Sequence, residues 1–120
     1  MKVLIIEDDY ALADNLKALL KLKGHEVAFA PDGEAGVAEA RKFHPDVVLL
    51  DIMIPKVSGF DACRMLRGDP QTMKAKVIMM TGLDRIGDVE KAFACGASDY
   101  LIKPFDGERL FKKLDKVARL

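Results

Sequence analysis

The chain has 120 residues, room for one domain of ordinary size. Half of them are hydrophobic and 32% are charged, a balance that fits a globular fold and excludes a disordered tail. Lysine plus arginine and aspartate plus glutamate both number 19, so the net charge is zero and no basic excess marks a nucleic-acid binder.

The first apolar run, Val3 to Ile6, ends in Glu7-Asp8-Asp9. It is too short for the apolar part of a signal peptide and far too short to span a bilayer, so a cytoplasmic protein is expected. Leu12, Leu16, Leu19 and Leu20 then recur at helical spacing, and Gly24 stands where a helix C-terminus favours glycine. A second run covers Val27 to Ala30. The next helical stretch, Gly33 to Phe43, has a mostly alanine face and holds Gly36, at a cost of about 1 kcal/mol relative to alanine.

The third run, Val47 to Leu50, ends in Asp51, and the fourth, Val77 to Met80, ends in Thr81. Arg85 to Cys95 offers Val89, Ala92 and Phe93 on one helical face and stops at Gly96. The fifth run, Tyr100 to Ile102, ends in Lys103. Leu110, Phe111, Leu114, Val117 and Ala118 give the last helix its apolar face. Lys112, Lys113, Lys116 and Arg119 lie there too, but Asp106, Glu108 and Asp115 among them point to a solvated helix face rather than a nucleic-acid patch. Cys63 and Cys95 have neither C-x-x-C nor metal-ligand spacing and read as small buried thiols. His25 and His44 read as surface residues, and Met65, Met79 and Met80 as core filler.

Short runs that are apolar at successive positions fit strands buried on both faces. Five of them alternating with five helices predict an α/β fold, a doubly wound parallel sheet between two helical layers. In such folds the site lies beyond the carboxyl ends of the strands. Every strand except the second delivers a polar group there: Glu7-Asp8-Asp9, Asp51, Thr81 and Lys103. Carboxylates brought together repel unless a cation joins them, and a hard divalent ion such as Mg²⁺ suits such a set. An aspartate can also attack phosphorus to form an acyl phosphate, with a metal, a lysine and a hydroxyl neutralising the transferred group. Taken singly, Asp8 and Asp9 would serve as helix caps, Thr81 as a turn residue and Lys103 as a surface charge. Their placement on one edge favours a site.

These residues occur within Ile5-Ile6-Glu7-Asp8-Asp9, Leu49-Leu50-Asp51-Ile52-Met53-Ile54-Pro55 with Gly59 following, Met80-Thr81-Gly82, and Asp99-Tyr100-Leu101-Ile102-Lys103-Pro104-Phe105. In order and spacing they resemble the receiver domains of two-component response regulators, the CheY-like family, over essentially residues 1–120. The resemblance implies a flavodoxin-like (βα)5 sheet with strand order 2-1-3-4-5 and a phosphoacceptor function. Asp51 matches the phosphorylated aspartate. Asp8 matches the direct metal ligand, Glu7 the acid that acts through a metal-bound water, and Met53 the backbone carbonyl ligand, for Mg²⁺ or alternatively Mn²⁺. Asp9 is the third acid of the cluster. Thr81 and Lys103 match the phosphoryl-pairing hydroxyl and lysine, and the Lys103-Pro104 bond is expected to be cis. Tyr100 matches the switch aromatic, which follows Thr81 inward and alters the surface of the fourth helix, fifth strand and fifth helix.

The implied partners are a histidine kinase or phosphotransfer protein as donor, and an output partner or effector domain, with no direct nucleic-acid or membrane contact. A phosphorylation-dependent homodimer stays open, as does whether the chain acts alone or within a longer regulator. Gly82 departs from the alanine usual after the threonine. Met53 and Leu83 flank the site with apolar side chains that cannot orient a water, so slow self-hydrolysis is expected. The chain would catalyse its own phosphorylation and dephosphorylation without being an enzyme on a separate substrate. A small phosphatase or phosphotransferase with an aspartate nucleophile is the alternative, but Met53 stands where its second aspartate belongs. A flavin module would want a Ser/Thr/Gly phosphate loop, where Glu7-Asp8-Asp9 would repel the phosphate.

Overall fold

The computed structural model describes residues 1–82 and 87–120. Strands and helices alternate along them as β1 (Lys2–Ile6), α1 (Tyr10–Leu22), β2 (Glu26–Ala30), α2 (Gly33–Phe43), β3 (Val47–Asp51), α3 (Gly59–Gly68), β4 (Lys76–Gly82), α4 (Asp88–Ala94), β5 (Asp99–Lys103) and α5 (Gly107–Ala118). The strands form one parallel sheet in the order β2-β1-β3-β4-β5, the order the resemblance implied. Leu83 and the expected helix start at Arg85 lie outside the described residues, and α4 is described from Asp88.

Most helix starts are fixed by a side chain immediately before the first turn. Asp9, Asp32, Ser58 and Asp106 each accept the backbone N–H three residues on, from Leu12, Ala35, Asp61 and Arg109. Each such cap is worth about 1 kcal/mol. The ends of α1 and α4 are set by a glycine whose φ turns positive. Gly24 (φ 82°) donates to Lys21 O while His25 donates to Leu20 O, and Gly96 (φ 101°) repeats the pattern after α4. These locally coded stops send the chain back into the sheet at short intervals.

Two apolar layers close the sheet. Leu4, Ile6, Val48, Leu50, Val77 and Met79 meet Val37 and Ala40 of α2, Cys63 and Leu66 of α3, and Ala92 of α4. On the other face Val3, Ile5, Leu49, Ile78 and Met80 meet Leu16 and Leu20 of α1 and Leu110 and Leu114 of α5. Val3 to Ile6 of β1 and all of β3 are buried on both sides, as the continuous apolar runs predict. β2 departs from that expectation. It is an edge strand with one neighbour, and Val27, Ala28 and Phe29 stay half-buried.

Gly36, unfavourable by propensity, is explained by packing. A Cβ there would stand 2.4 Å from Ile6 Cδ1, so the glycine lets α2 lie directly on β1. Both cysteines are free and buried. The Cys63 thiol bonds Cys95 O at 3.4 Å and burial pushes its pKa up to about 11, so it is unreactive. His44 is the exposed left-handed cap of α2, whereas His25 is half-buried, with Nδ1 against the N-terminal amine at 3.0 Å. Among the described residues no helix is long and apolar enough to cross a membrane.

Candidate functional site

The parallel sheet aims the carboxyl ends of β1, β3, β4 and β5 at one edge, and four of the expected site residues meet there. Glu7, Asp8 and Asp51 each place a carboxylate oxygen within 4.8 Å of the others. Lys103 enters from β5 and donates to Glu7 Oε2 at 2.7 Å, with Asp51 Oδ2 3.4 Å away. Glu7 and Asp51 are nearly closed to solvent, at 1% and 6% exposure, while Asp8 is exposed. The site is therefore a buried floor with one open side.

Backbone groups hold the two buried carboxylates in place. Glu7 Oε1 accepts the Asp9 N–H at 3.1 Å, and Asp51 Oδ1 accepts the Met53 N–H at 3.2 Å. Burial pushes the Glu7 carboxyl up to about 7 against the hydrogen bond from Lys103, and the nearby Asp51 charge adds to the rise. Burial alone would lower Lys103, but its bond to Glu7 and the charge of Asp51 outweigh it and hold the ammonium above its ordinary value. Lys103 thus meets two carboxylates of a cluster of three. All-oxygen donors, an excess of negative charge and an open side suit a hard divalent cation such as Mg²⁺, which keeps several waters. The group fits, with Glu7, Asp8 and Asp51 as the residues able to hold it and Met53 two positions beyond Asp51.

The remaining expected residues stand around this floor. Thr81, 1% exposed, donates to the Gly82 carbonyl at 3.3 Å. In register Thr81 pairs with Ile102 and Met79 with Tyr100, which puts Thr81 and Tyr100 on the same face of the sheet. Tyr100 is half-buried and does not belong to the carboxylate cluster. Its ring meets the Phe93 ring edge-on at 6.1 Å, and Lys113 Nζ lies 4.7 Å above it. Asp9 caps α1 and stands outside the cluster. The Lys103-Pro104 bond is cis, as the resemblance implied.

Two arrangements go beyond the sequence-based expectations. Asp99 is 3% exposed and takes Lys113 Nζ at 2.8 Å, so that lysine is more than a solvated helix charge. Lys116 Nζ lies 3.2 Å from Oδ2 as an ion pair without hydrogen-bond geometry. The signal was present in the one-turn spacing of two lysines opposite an aspartate that starts a strand. The second is the close seating of glycines against the segment after Asp51: a Cβ at Gly59 would stand 2.5 Å from Asp51 O, and one at Gly33 2.4 Å from Val57 O.

Residues 3–115 match the model of the response regulator receiver domain. The chain belongs to that family. Over 118 residues it is 42% identical to the DNA-binding dual master transcriptional regulator RpaA of Synechocystis sp., covering 98% of this chain but 49% of that protein. The chain thus spans about half the length of that curated relative. It is 41% identical to Protein PilH of Pseudomonas aeruginosa, covering 97% of this chain and 96% of PilH. Among solved structures, the receiver domain of the P. aeruginosa sensor histidine kinase PA1611, with magnesium coordinated in its active-site cleft, superposes with a TM-score of 0.87 at 29% identity, over 96% of this chain and 94% of that one. The relatives lend no support to the aspartate-nucleophile phosphatase considered as the alternative.

Proposed function

We propose that Asp51 is the phosphoacceptor of this receiver domain. The observation that carries this is the meeting of Glu7, Asp8 and Asp51 within 4.8 Å, with Lys103 bound to Glu7 and 3.4 Å from Asp51. A carboxylate oxygen of Asp51 attacks the phosphorus of a phosphohistidine donor. The new O–P bond forms as the N–P bond breaks, and the donor imidazole leaves with the electron pair. Glu7, Asp8, Asp51 and the Met53 carbonyl would hold Mg²⁺, or Mn²⁺ in its place, which would supply charge neutralisation. Lys103 pairs with the phosphoryl oxygens, and the Thr81 hydroxyl turns to them from its long bond with Gly82 O. Because Thr81 and Tyr100 share one face, that movement opens space for the Tyr100 ring and reshapes the α4-β5-α5 surface.

The receiver unit takes in residues 1–120 and works in the cytoplasm. A histidine kinase or phosphotransfer protein donates the phosphoryl group, and an output partner or effector domain reads the altered surface, with a phosphorylation-dependent homodimer as one form of that readout. The chain acts on itself and not on a separate substrate, and a net charge of zero gives it no direct hold on nucleic acid. The test is incubation with acetyl phosphate and Mg²⁺ followed by intact mass. The wild type is expected to gain one phosphoryl group and Asp51→Asn none. No gain, or a gain that survives Asp51→Asn, overturns the assignment.

A further inference from the structure

The segment between Asp51 and α3 carries the Met53 carbonyl, and it is fastened at two ends. At its inner end Ile52 N donates to Met80 O at 3.1 Å and Gly59 N donates to Ile52 O at 2.9 Å. At its outer end it rests on the first residue of α2. Gly33 N donates to Pro55 O at 3.3 Å, and Lys56 Nζ lies 3.7 Å from Asp32 Oδ2. Gly33 is buried, and a Cβ built on it would stand 2.4 Å from Val57 O and 2.9 Å from Val57 Cβ. The first of these is a backbone atom and cannot rotate away. Lys56 itself has φ 69°, unusual for a residue with a side chain, so the bend after Pro55 is drawn tightly toward α2.

From this seating we infer that Gly33 is a positioning residue for the metal-binding carbonyl of Met53, acting through the Pro55–Val57 segment. This rests on the ligand role proposed for Met53. Gly33 lies in another layer of the molecule and itself carries no ligand atom toward the cluster. Any side chain at position 33 must push the Val57 carbonyl outward by about 1 Å to reach ordinary contact. The shift is then taken up between residues 53 and 58, Met53 among them, because Ile52 is tied to β4 and Gly59 to Ile52. A cation that demands near-ideal octahedral geometry at about 2.0–2.1 Å tolerates little of that displacement.

The test measures Mg²⁺ binding to the whole chain by calorimetry, alongside the rate of phosphorylation by acetyl phosphate as Mg²⁺ is raised. Gly33→Ala is expected to weaken Mg²⁺ binding on the order of tenfold, the scale seen for groups that orient a ligand from outside the first shell. The Mg²⁺ concentration for half-maximal rate should rise by the same factor, with the rate at saturating Mg²⁺ unchanged. Val37→Ala, a truncation inside α2 that leaves residue 33 alone, should lower the melting temperature without moving the Mg²⁺ constant. Should Gly33→Ala fail to fold, Val57→Ala removes the packing of the same segment without a clash and should move the constant in the same direction by about two- to threefold. Equal Mg²⁺ affinity in the wild type and the folded variants overturns the positioning role while leaving the metal site intact. A wild type that binds no Mg²⁺ overturns both.

Discussion

Two glycines of α3, nine positions apart in sequence, should respond in opposite directions to the same substitution. Gly59 opens the helix and packs against the strand end that carries Asp51. A Cβ there would stand 2.5 Å from Asp51 O, 2.6 Å from Ile52 Cα and 3.0 Å from Ile52 O, all backbone atoms. Gly59→Ala must therefore move the whole helix start by about 1 Å, and overpacking of this kind costs about 1–3 kcal/mol. Stretching the Gly59 N–H bond to Ile52 O adds about 1 kcal/mol. At this chain length a loss of that size lowers the melting temperature by roughly 10 °C. Gly68 closes the same helix, and a Cβ there meets nothing within 4 Å. Gly68→Ala should accordingly stabilise by about 0.5–1 kcal/mol and raise the melting point by a few degrees. Thermal melts followed by far-UV circular dichroism read both. A Gly59→Ala protein melting within about 2 °C of wild type would refute the close seating of α3 on Asp51. So would equal shifts in both variants.

Two further outcomes follow from the charged groups. Burial alone would raise the Asp99 carboxyl, but Lys113, the Tyr100 N–H and Lys116 together hold it below its ordinary value. Its stabilising share is thus present above the unfolded carboxylate pKa of about 3.9 and is lost as the pH falls through the lower folded value. Asp99→Asn should cost about 1–2 kcal/mol at pH 7 and flatten the acid limb of a stability profile, and an unchanged limb in urea titrations at several pH values contradicts this. Lys103→Ala removes the cation that faces both Glu7 and Asp51, and phosphorylation by acetyl phosphate should slow tenfold or more with the fold retained. An unchanged rate would deny Lys103 its part in the chemistry.

The strands were legible because β1 and β3 are buried on both faces and so carry unbroken apolar runs, and β4 nearly so. Their ends were legible because polar residues follow at once. β2 misled in detail, since Val27 to Phe29 look as apolar as the central strands although one side of β2 has no neighbour. The helix Gly33–Phe43 was placed correctly while its glycine stayed unexplained, because only the approach of α2 to Ile6 shows why alanine would not fit at 36. The same holds for Gly33 and Gly59, whose contacts lie far off in sequence or against backbone. Asp99 escaped notice as a buried ion pair because burial is decided by the α5 lysines folding over it. Residue identity alone does not report a neighbour that arrives from another element.

The bond from Lys103 to Glu7 spans 96 positions, nearly the whole chain. Glu7 is synthesised well before Lys103, and no local segment holds more than a fragment of the acidic edge. A nascent chain that has laid down β1 through β4 still lacks the cation that faces Asp51. Competence to receive a phosphate, as proposed for Asp51, would therefore arrive with the fifth strand. Phosphate uptake by this chain would accordingly report on the completeness of its fold as directly as on its donor.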